Sequence, residues 1–281
     1  MADGSADLCV CVLFYGQDEH CYKLAQRVLN APMRELARRN VEFRFGFNAV
    51  GAETRAYVKA AVEQCFHGAM WVEPEENIFK YPIMRRMLHE RPLRAPVTMW
   101  FDDDSCLAPN CNVTQWLPRV YKLLDTYAMV GSLYRQRLLG NQAEWIKNQW
   151  WYNRKPISPY VKFITGGWWA IQSSVLLRFD WPIPDLKHRG GDVMLGALCA
   201  QHDLPITHFR DGVWINANDQ GVESKAPRRG HNERPIGFDY KAGGEALTRE
   251  FLLQQGACCG RGCKNCPYDP PHQRGSTVIK D

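Results

Sequence analysis

An α/β fold with a mainly parallel central sheet is what this 281-residue sequence predicts, and three observations predict it. Apolar runs of strand length alternate with segments of helix length, the pattern of β-α units joined by right-handed crossovers. The first run, residues 8–15, is continuously apolar and rich in Cys and Val, as a strand covered on both faces requires. The third observation is a junction. The apolar run 96–101 leads straight into Asp102, Asp103 and Asp104, so a strand delivers carboxylates to its C-terminal end, where open α/β sheets bind ligands.

Each element follows from local pattern. Residues 8–15 form a strand ending at Gly16, and 20–29 reads as a helix. Pro32 starts a second, short helix, because the missing N–H of proline costs nothing in a first turn. Residues 41–50 alternate like a strand, with Phe43, Phe45 and Phe47 on one face, and 52–65 reads as a helix. A strand at 69–72, a helix at 82–89 and the strand 97–101 follow. Further on, 193–201 reads as a helix and 204–207 as a short strand. The sequence holds no internal repeat and no low-complexity tract.

Composition bounds the class. At 45% hydrophobic and 23% charged, the chain can bury a full core. Its longest apolar stretch, 8–15, is too short to span a bilayer, and residues 1–7 lack the basic region of a secretory signal. The expectation is a cytoplasmic protein with no membrane partner. Eleven cysteines is an odd count, and Cys9, Cys11, Cys65 and Cys199 stand singly in apolar surroundings, as reduced thiols do. Asn112-Val113-Thr114 fits a glycosylation sequon but lacks a secretory route. Three regions are expected: a catalytic domain over 1–222, a basic linker over 223–246 and a Cys-rich module over 247–281.

Clustered hard oxygens at 102–104 suit Mg²⁺ or Mn²⁺ carrying a phosphate; the plain alternative is an acidic turn. Neither a G-x-G-x-x-G after the first strand nor a G-x-x-x-x-G-K-[ST] occurs, so phosphates must be held by a metal.

Four segments carry a resemblance: Asn77-Ile78-Phe79-Lys80-Tyr81-Pro82, Met99-Trp100-Phe101-Asp102-Asp103-Asp104, Thr165-Gly166-Gly167-Trp168-Trp169-Ala170-Ile171 and Gly191-Asp192-Val193-Met194-Leu195-Gly196. In this order they resemble the landmarks of nucleotide-sugar-dependent glycosyltransferases of the GT-A fold, family-2-like, over residues 8–218. The resemblance implies a D-x-D motif and a divalent cation, Mn²⁺ or Mg²⁺, holding a nucleoside-diphosphate sugar at the C-terminal edge of the sheet. It implies Asp104 as direct metal ligand and Asp102 nearer the ribose or base, with Asp103 able to replace either. Lys80 would lie against the nucleotide; a solvated loop lysine is the alternative. Asp192 matches the position of the catalytic base of an inverting displacement, although Gly191 stands where the family more often has Glu. The alternative is that Asp192 only caps the helix that follows it.

Gly166 and Gly167 would let the backbone approach the donor sugar, with Trp168 and Trp169 as one wall. Trp145, Trp150, Trp151 and Tyr152 are candidates for an acceptor platform, although packing claims most tryptophans. His208, after a short strand, and His231, in the loop 228–234, compete for a third metal-ligand role. In that loop Arg228 and Arg229 could pair with the diphosphate, or form an ordinary solvated surface.

The tail differs in kind. Cys258, Cys259, Cys263 and Cys266 fall within nine positions among glycines, a metal site in a reduced compartment. The stretch resembles a Cys-rich bacterial module of C-C-G-x-G-C-x-x-C-P-Y pattern, which names no activity. Zinc is the expected occupant, with an iron–sulfur cluster as the rival. From Lys225 to Asp281 ten Lys or Arg face six Asp or Glu, nearly the whole net charge of +5. This excess suits a polyanionic acceptor such as 5-hydroxymethylpyrimidine in DNA. The competing readings are a nucleic-acid-binding protein on an inactive transferase fold and, more weakly, a nucleotidyltransferase.

Overall fold

The computed structural model describes residues 6–17, 19–138, 142–187, 190–215, 249–253, 256–258, 266–271, 273 and 275–280. The elements alternate as expected: β1 (Leu8–Gly16), α1 (Glu19–Val28), α2 (Ala31–Leu36), β2 (Val41–Val50), α3 (Ala52–Cys65), β3 (Met70–Val72), α4 (Lys80–His89) and β4 (Val97–Asp102). Then come β5 (Cys106–Leu107), α5 (Val113–Leu124), β6 (Met129–Arg137), α6 (Gln142–Lys147), β7 (Tyr160–Gln172), α7 (Ser173–Arg178), α8 (Gly191–Gln201), β8 (Ile206–His208) and β9 (Val213–Trp214). A short helix, Arg249–Leu253, precedes the cysteines. Among the described residues no helix is long and apolar enough to cross a membrane.

Seven strands form the central sheet in the order β3-β2-β1-β4-β7-β6-β8. The pairs β1–β2, β1–β4, β2–β3 and β6–β8 are parallel. β7 runs antiparallel to both of its neighbours, β4 and β6. Alternation along β1 sorts its side chains into two cores. Leu8, Val10, Val12 and Phe14 join Phe43, Phe45 and Phe47 on one side, whereas Cys9, Cys11 and Leu13 join Trp100 and α4 on the other. Burial on both faces is why β1 reads as an unbroken apolar run.

α4 is held where the site needs it. Arg44 on β2 is fully buried, and its guanidinium donates to the carbonyls of Met87, Leu88, Arg91 and Pro92 around the helix's C-terminal end. The helix also lies close on β2, because a Cβ on Gly46 would sit 2.6 Å from Met87 Sδ. α4 starts at Lys80, two residues before the expected Pro82, since the third position of a helix has no intrahelical N–H hydrogen bond for proline to lose. α8 likewise starts at Gly191 rather than Val193, with Gly190 at φ 79° as its N-cap.

Candidate active site

The carboxyl end of β4 ends in Asp102, whose two oxygens are both engaged. Trp100 Nε1–H donates to Oδ1 at 2.8 Å, and Lys80 Nζ donates to Oδ2 at 2.6 Å. Trp100 and Asp102 meet because residues two apart on a strand share a face. Lys80 reaches them from the first turn of α4. The loop before it is fixed by the buried Asn48, which accepts from Ile78 N–H and donates to the side-chain oxygen of Asn77, itself the acceptor for Phe79 N–H. Phe79 is thereby held at φ 70°, a conformation disfavoured for a bulky residue and kept where it aims the next side chain.

Lys80 is the hinge of the site. Its Nζ also donates to Gly166 O at 3.0 Å, and Gly166 N–H donates in turn to Asp192 Oδ2 at 2.9 Å. A Cβ on Gly166 would lie 2.6 Å from Lys80 Nζ and 2.8 Å from Asp192 Oδ1, so any larger residue there would have to push one of the two charged groups aside. Gly166 and Gly167 stand in a bulge of β7. From Ile164 to Trp169 that strand advances five residues while β6 advances two, from Gly131 to Leu133. Bulges of this sort re-aim backbone groups beside active sites.

Asp192 lies in the first turn of α8 but does not cap it, because Gly190 holds the N-cap position. Its other oxygen, Oδ1, accepts from the Tyr81 hydroxyl at 2.8 Å. Gly191 makes room for that ring: a Cβ there would stand 2.1 Å from Tyr81 Cζ. Glycine rather than a larger residue at 191 thus has a local reason. Gly191→Ala should force Tyr81 away from Asp192 at a cost of about 1–3 kcal/mol. Chemical denaturation would measure it, and an unchanged midpoint would show that the ring has slack.

Charge is concentrated here. Burial alone would pull the Lys80 ammonium down, but Asp102, Asp192 and Asp104 more than offset it and leave its value raised. Burial raises the Asp102 carboxyl, and Lys80 and Trp100 counter this only in part. Asp104 is pushed up to about 6, first by burial and then by the charge of Asp102. Asp103 points to the neighbouring strand, its Oδ2 accepting from Tyr15 N–H at the end of β1. Asp102 already has Lys80 as its counter-ion, whereas the crowded Asp104 beside it is a hard-oxygen donor held above its ordinary range, the kind of ligand a divalent cation suits. Among the described residues no three His, Cys, Asp or Glu side chains converge on one point. Mg²⁺-type sites are commonly held by one or two carboxylates plus substrate phosphates.

Other expected residues fall elsewhere. His208, at the end of β8, lies three strands from β4, roughly 14 Å at the usual strand spacing. Its Nδ1 accepts from Leu133 N–H. It is therefore not a third ligand beside the aspartates; the strand order separates them. Trp168 is fully buried, packed against Phe101, Trp116 and Phe209, so it walls no open site. Trp169 stacks on Trp100 on the opposite face of the sheet. It lines, with Tyr81, Trp181 and Leu195, a narrow apolar pocket that reaches Asp192. Trp151 is buried too, its carbonyl bound to the His202 ring, whereas Trp150 is 64% exposed. Arg228, Arg229, His231, Cys259 and Cys263 lie outside the described residues.

Sequence reasoning overlooked Tyr81 and Trp100 as polar partners. The second was within reach, being two residues from Asp102 on a strand. The first was not, since only the packing of α4 on α8 brings the hydroxyl to Asp192.

Comparison with solved structures places this geometry in a known fold. The mannosyltransferase PcManGT from Pyrobaculum calidifontis, in complex with GDP-Man and Mn²⁺, is similar with a TM-score of 0.51 at 18% identity, over 82% of this chain and 60% of that one. The chain has the GT-A fold. It spans about three fifths of that mannosyltransferase's length. GalNAc-T7 with UDP, GalNAc and Mn²⁺ gives 0.49 at 12% identity, over 73% of this chain and 43% of that one. TarS residues 1–349 from S. aureus gives 0.45 at 12%, over 73% and 58%. No curated protein matches the chain. Residues 234–272, which include the four clustered cysteines, match a family of unknown function (DUF5522).

Proposed function

We propose that this protein transfers a sugar from a nucleoside-diphosphate sugar to an acceptor hydroxyl by a single inverting displacement. One observation carries the reading: Asp102 and Asp192, 90 residues apart, are joined through Lys80 and Gly166 by bonds of 2.6, 3.0 and 2.9 Å at the sheet's carboxyl edge. Asp104 and Asp102 would hold Mn²⁺ or Mg²⁺. When bound, the cation neutralises the diphosphate and stabilises the charge that builds on it as the sugar departs. Asp192 accepts the proton of the attacking hydroxyl. Each of its oxygens takes one internal hydrogen bond and keeps a lone pair for substrate, and those two bonds orient the carboxylate. Lys80 secures Asp102 and the Gly166 backbone, and the bulge at Gly166 and Gly167 presents main-chain groups to the donor. Arg228 and Arg229 would pair with the diphosphate and His231 would be the third metal ligand, all three lying outside the described residues, and exposed Trp150 is the tryptophan fitted to meet an acceptor.

The acceptor we propose is a 5-hydroxymethylpyrimidine in DNA, on the strength of the basic tail. Nine described cysteines are unbridged, in keeping with a cytoplasmic setting. The decisive assay incubates the protein with Mn²⁺ and a panel of nucleotide sugars, with and without 5-hydroxymethylated DNA, recording nucleotide release and base mass. Metal-dependent release with a sugar-sized gain on the base supports donor and acceptor together. Release indifferent to DNA sinks the acceptor. No release from any donor returns the reading to a binding protein on an inactive fold.

For the tail we propose structural zinc on Cys258, Cys259, Cys263 and Cys266. Cys258 and Cys266 Sγ lie 3.7 Å apart. Two thiolates on one tetrahedral zinc stand about 3.8 Å apart, given Zn–S near 2.3 Å. Elemental analysis should find about one zinc per chain, absent from Cys258→Ser and Cys266→Ser; iron and sulfide in its place would install the rival.

A further inference from the structure

Past the bulge, β6 and β7 continue as a two-stranded ribbon whose surface the proposed chemistry leaves unused. It pairs Arg135 with Lys162 and Arg137 with Tyr160. Residues directly opposite, and those two apart along a strand, share a face. Arg135, Arg137, Lys162 and Tyr160 therefore stand together, and all four are exposed. Between them Val161 and Phe163 turn the other way and are buried.

This face is locally unfavourable. Like charges directly opposite each other destabilise a strand pair, and Arg135 faces Lys162. None of the three cations forms an ion pair with a described acid. The Arg135 guanidinium lies instead over the Tyr160 ring, 4.6 Å from its centroid. Beyond that one ring contact the crowded cations are left without a local counter-charge, and violations of local rules concentrate at functional surfaces.

Its position relative to the site is set by topology. β7 runs antiparallel to β4 with Trp168 opposite Phe101, so the ribbon lies beyond the carboxyl end of β4, the edge that bears the aspartates. Lys162 is four residues from Gly166, at most about 13 Å along an extended strand. α8, which carries Asp192, is seated on the other, buried face of the ribbon: a Cβ on Gly196 would come 2.3 Å from Lys162 O and 2.7 Å from Phe163 Cβ.

We propose that this ribbon face is the docking surface for the acceptor, a nucleic-acid strand, with its phosphates on Arg135, Arg137 and Lys162 and a base against Tyr160. Guanidinium forks match phosphate oxygens, and an exposed tyrosine beside them supplies the stacking surface that single strands use. The inference rests on the transfer reading only in calling the strand an acceptor.

The test is fluorescence anisotropy with a labelled single-stranded DNA oligonucleotide across a salt series, with no nucleotide sugar present. The triple variant Arg135→Gln, Arg137→Gln, Lys162→Gln should bind at least tenfold more weakly. Its slope of log K against log salt should fall by about 2, because each phosphate neutralised on a single strand accounts for about 0.7. Tyr160→Ala alone should weaken binding roughly tenfold with the slope kept. Far-UV circular dichroism confirms that each variant folds. Unchanged affinity in the triple variant would place binding on the tail and overturn the proposal, as would tighter binding of a sulfated polysaccharide than of the DNA. Ribbon-dependent DNA binding without donor turnover would refute the transfer reading alone.

Discussion

Asp192→Asn should slow sugar transfer by about 10²–10⁴-fold, the usual contribution of a positioned general base, in a protein that still folds. Asparagine keeps the size of the side chain but offers only one carbonyl oxygen, whereas Asp192 accepts from both Tyr81 O–H and Gly166 N–H. One donor is left facing an amide N–H₂, at a cost of about 1–3 kcal/mol. That is a fraction of an ordinary domain's stability of roughly 5–15 kcal/mol. The substitution also withdraws one of the carboxylates that keep Lys80 protonated. Nucleotide release with acceptor present, set beside a thermal melt, separates the two effects. A variant that melts lower yet turns over at the wild-type rate would reduce Asp192 to a structural tie between α8, α4 and β7.

The second large effect is expected at Asp104, and it runs in opposite directions for activity and stability. The folded protein raises this carboxyl from its ordinary 3.8 to about 6, by burial first and Asp102 second. The folded state therefore holds the proton more tightly than the unfolded chain. Ionised Asp104 destabilises the metal-free protein above pH 6, and the penalty is relieved as pH falls from about 6 to about 4. Two units would be a ceiling of about 3 kcal/mol; allowing for partial solvation, on the order of 1 kcal/mol remains. Asp104→Asn should thus raise the melting temperature of the metal-free protein at pH 8 by about 2 °C. Wild type should gain about 2.7 kcal/mol from Mn²⁺ at a hundredfold excess over its Kd, and the variant should gain far less while losing donor turnover. A variant stabilised by Mn²⁺ as strongly as wild type would remove Asp104 from the metal site.

Much of this molecule is written in local pattern. Hydrophobic period alone locates β1, β2, α3 and β4 to within a residue or so, because each strand is covered on both faces and each helix on one. The aspartates at the end of a strand, the glycine pair and Gly191-Asp192 could all be singled out, since each breaks the apolar rhythm with residues that a buried core has no use for. What local pattern could not reveal is adjacency. Lys80 could be placed against the nucleotide only by resemblance, with a solvated loop lysine as the alternative, until α4 is seen to begin with it. The five prospective tryptophans look alike in sequence, yet only Trp150 is exposed, because whether an indole meets core or water depends on which elements cover it. His208 looked eligible as a ligand by following a strand, and the strand order removes it. The reversed direction of β7, and the bulge that places Gly166 between Lys80 and Asp192, arise from how that strand fits between β4 and β6. Sequence by itself determined which residues are chemically able to act, because that ability is a property of side chains and their near neighbours. Only the tertiary structure decided which of them act together, because hydrogen bonds reach about 3 Å and the partners here stand 22 to 111 residues apart along the chain.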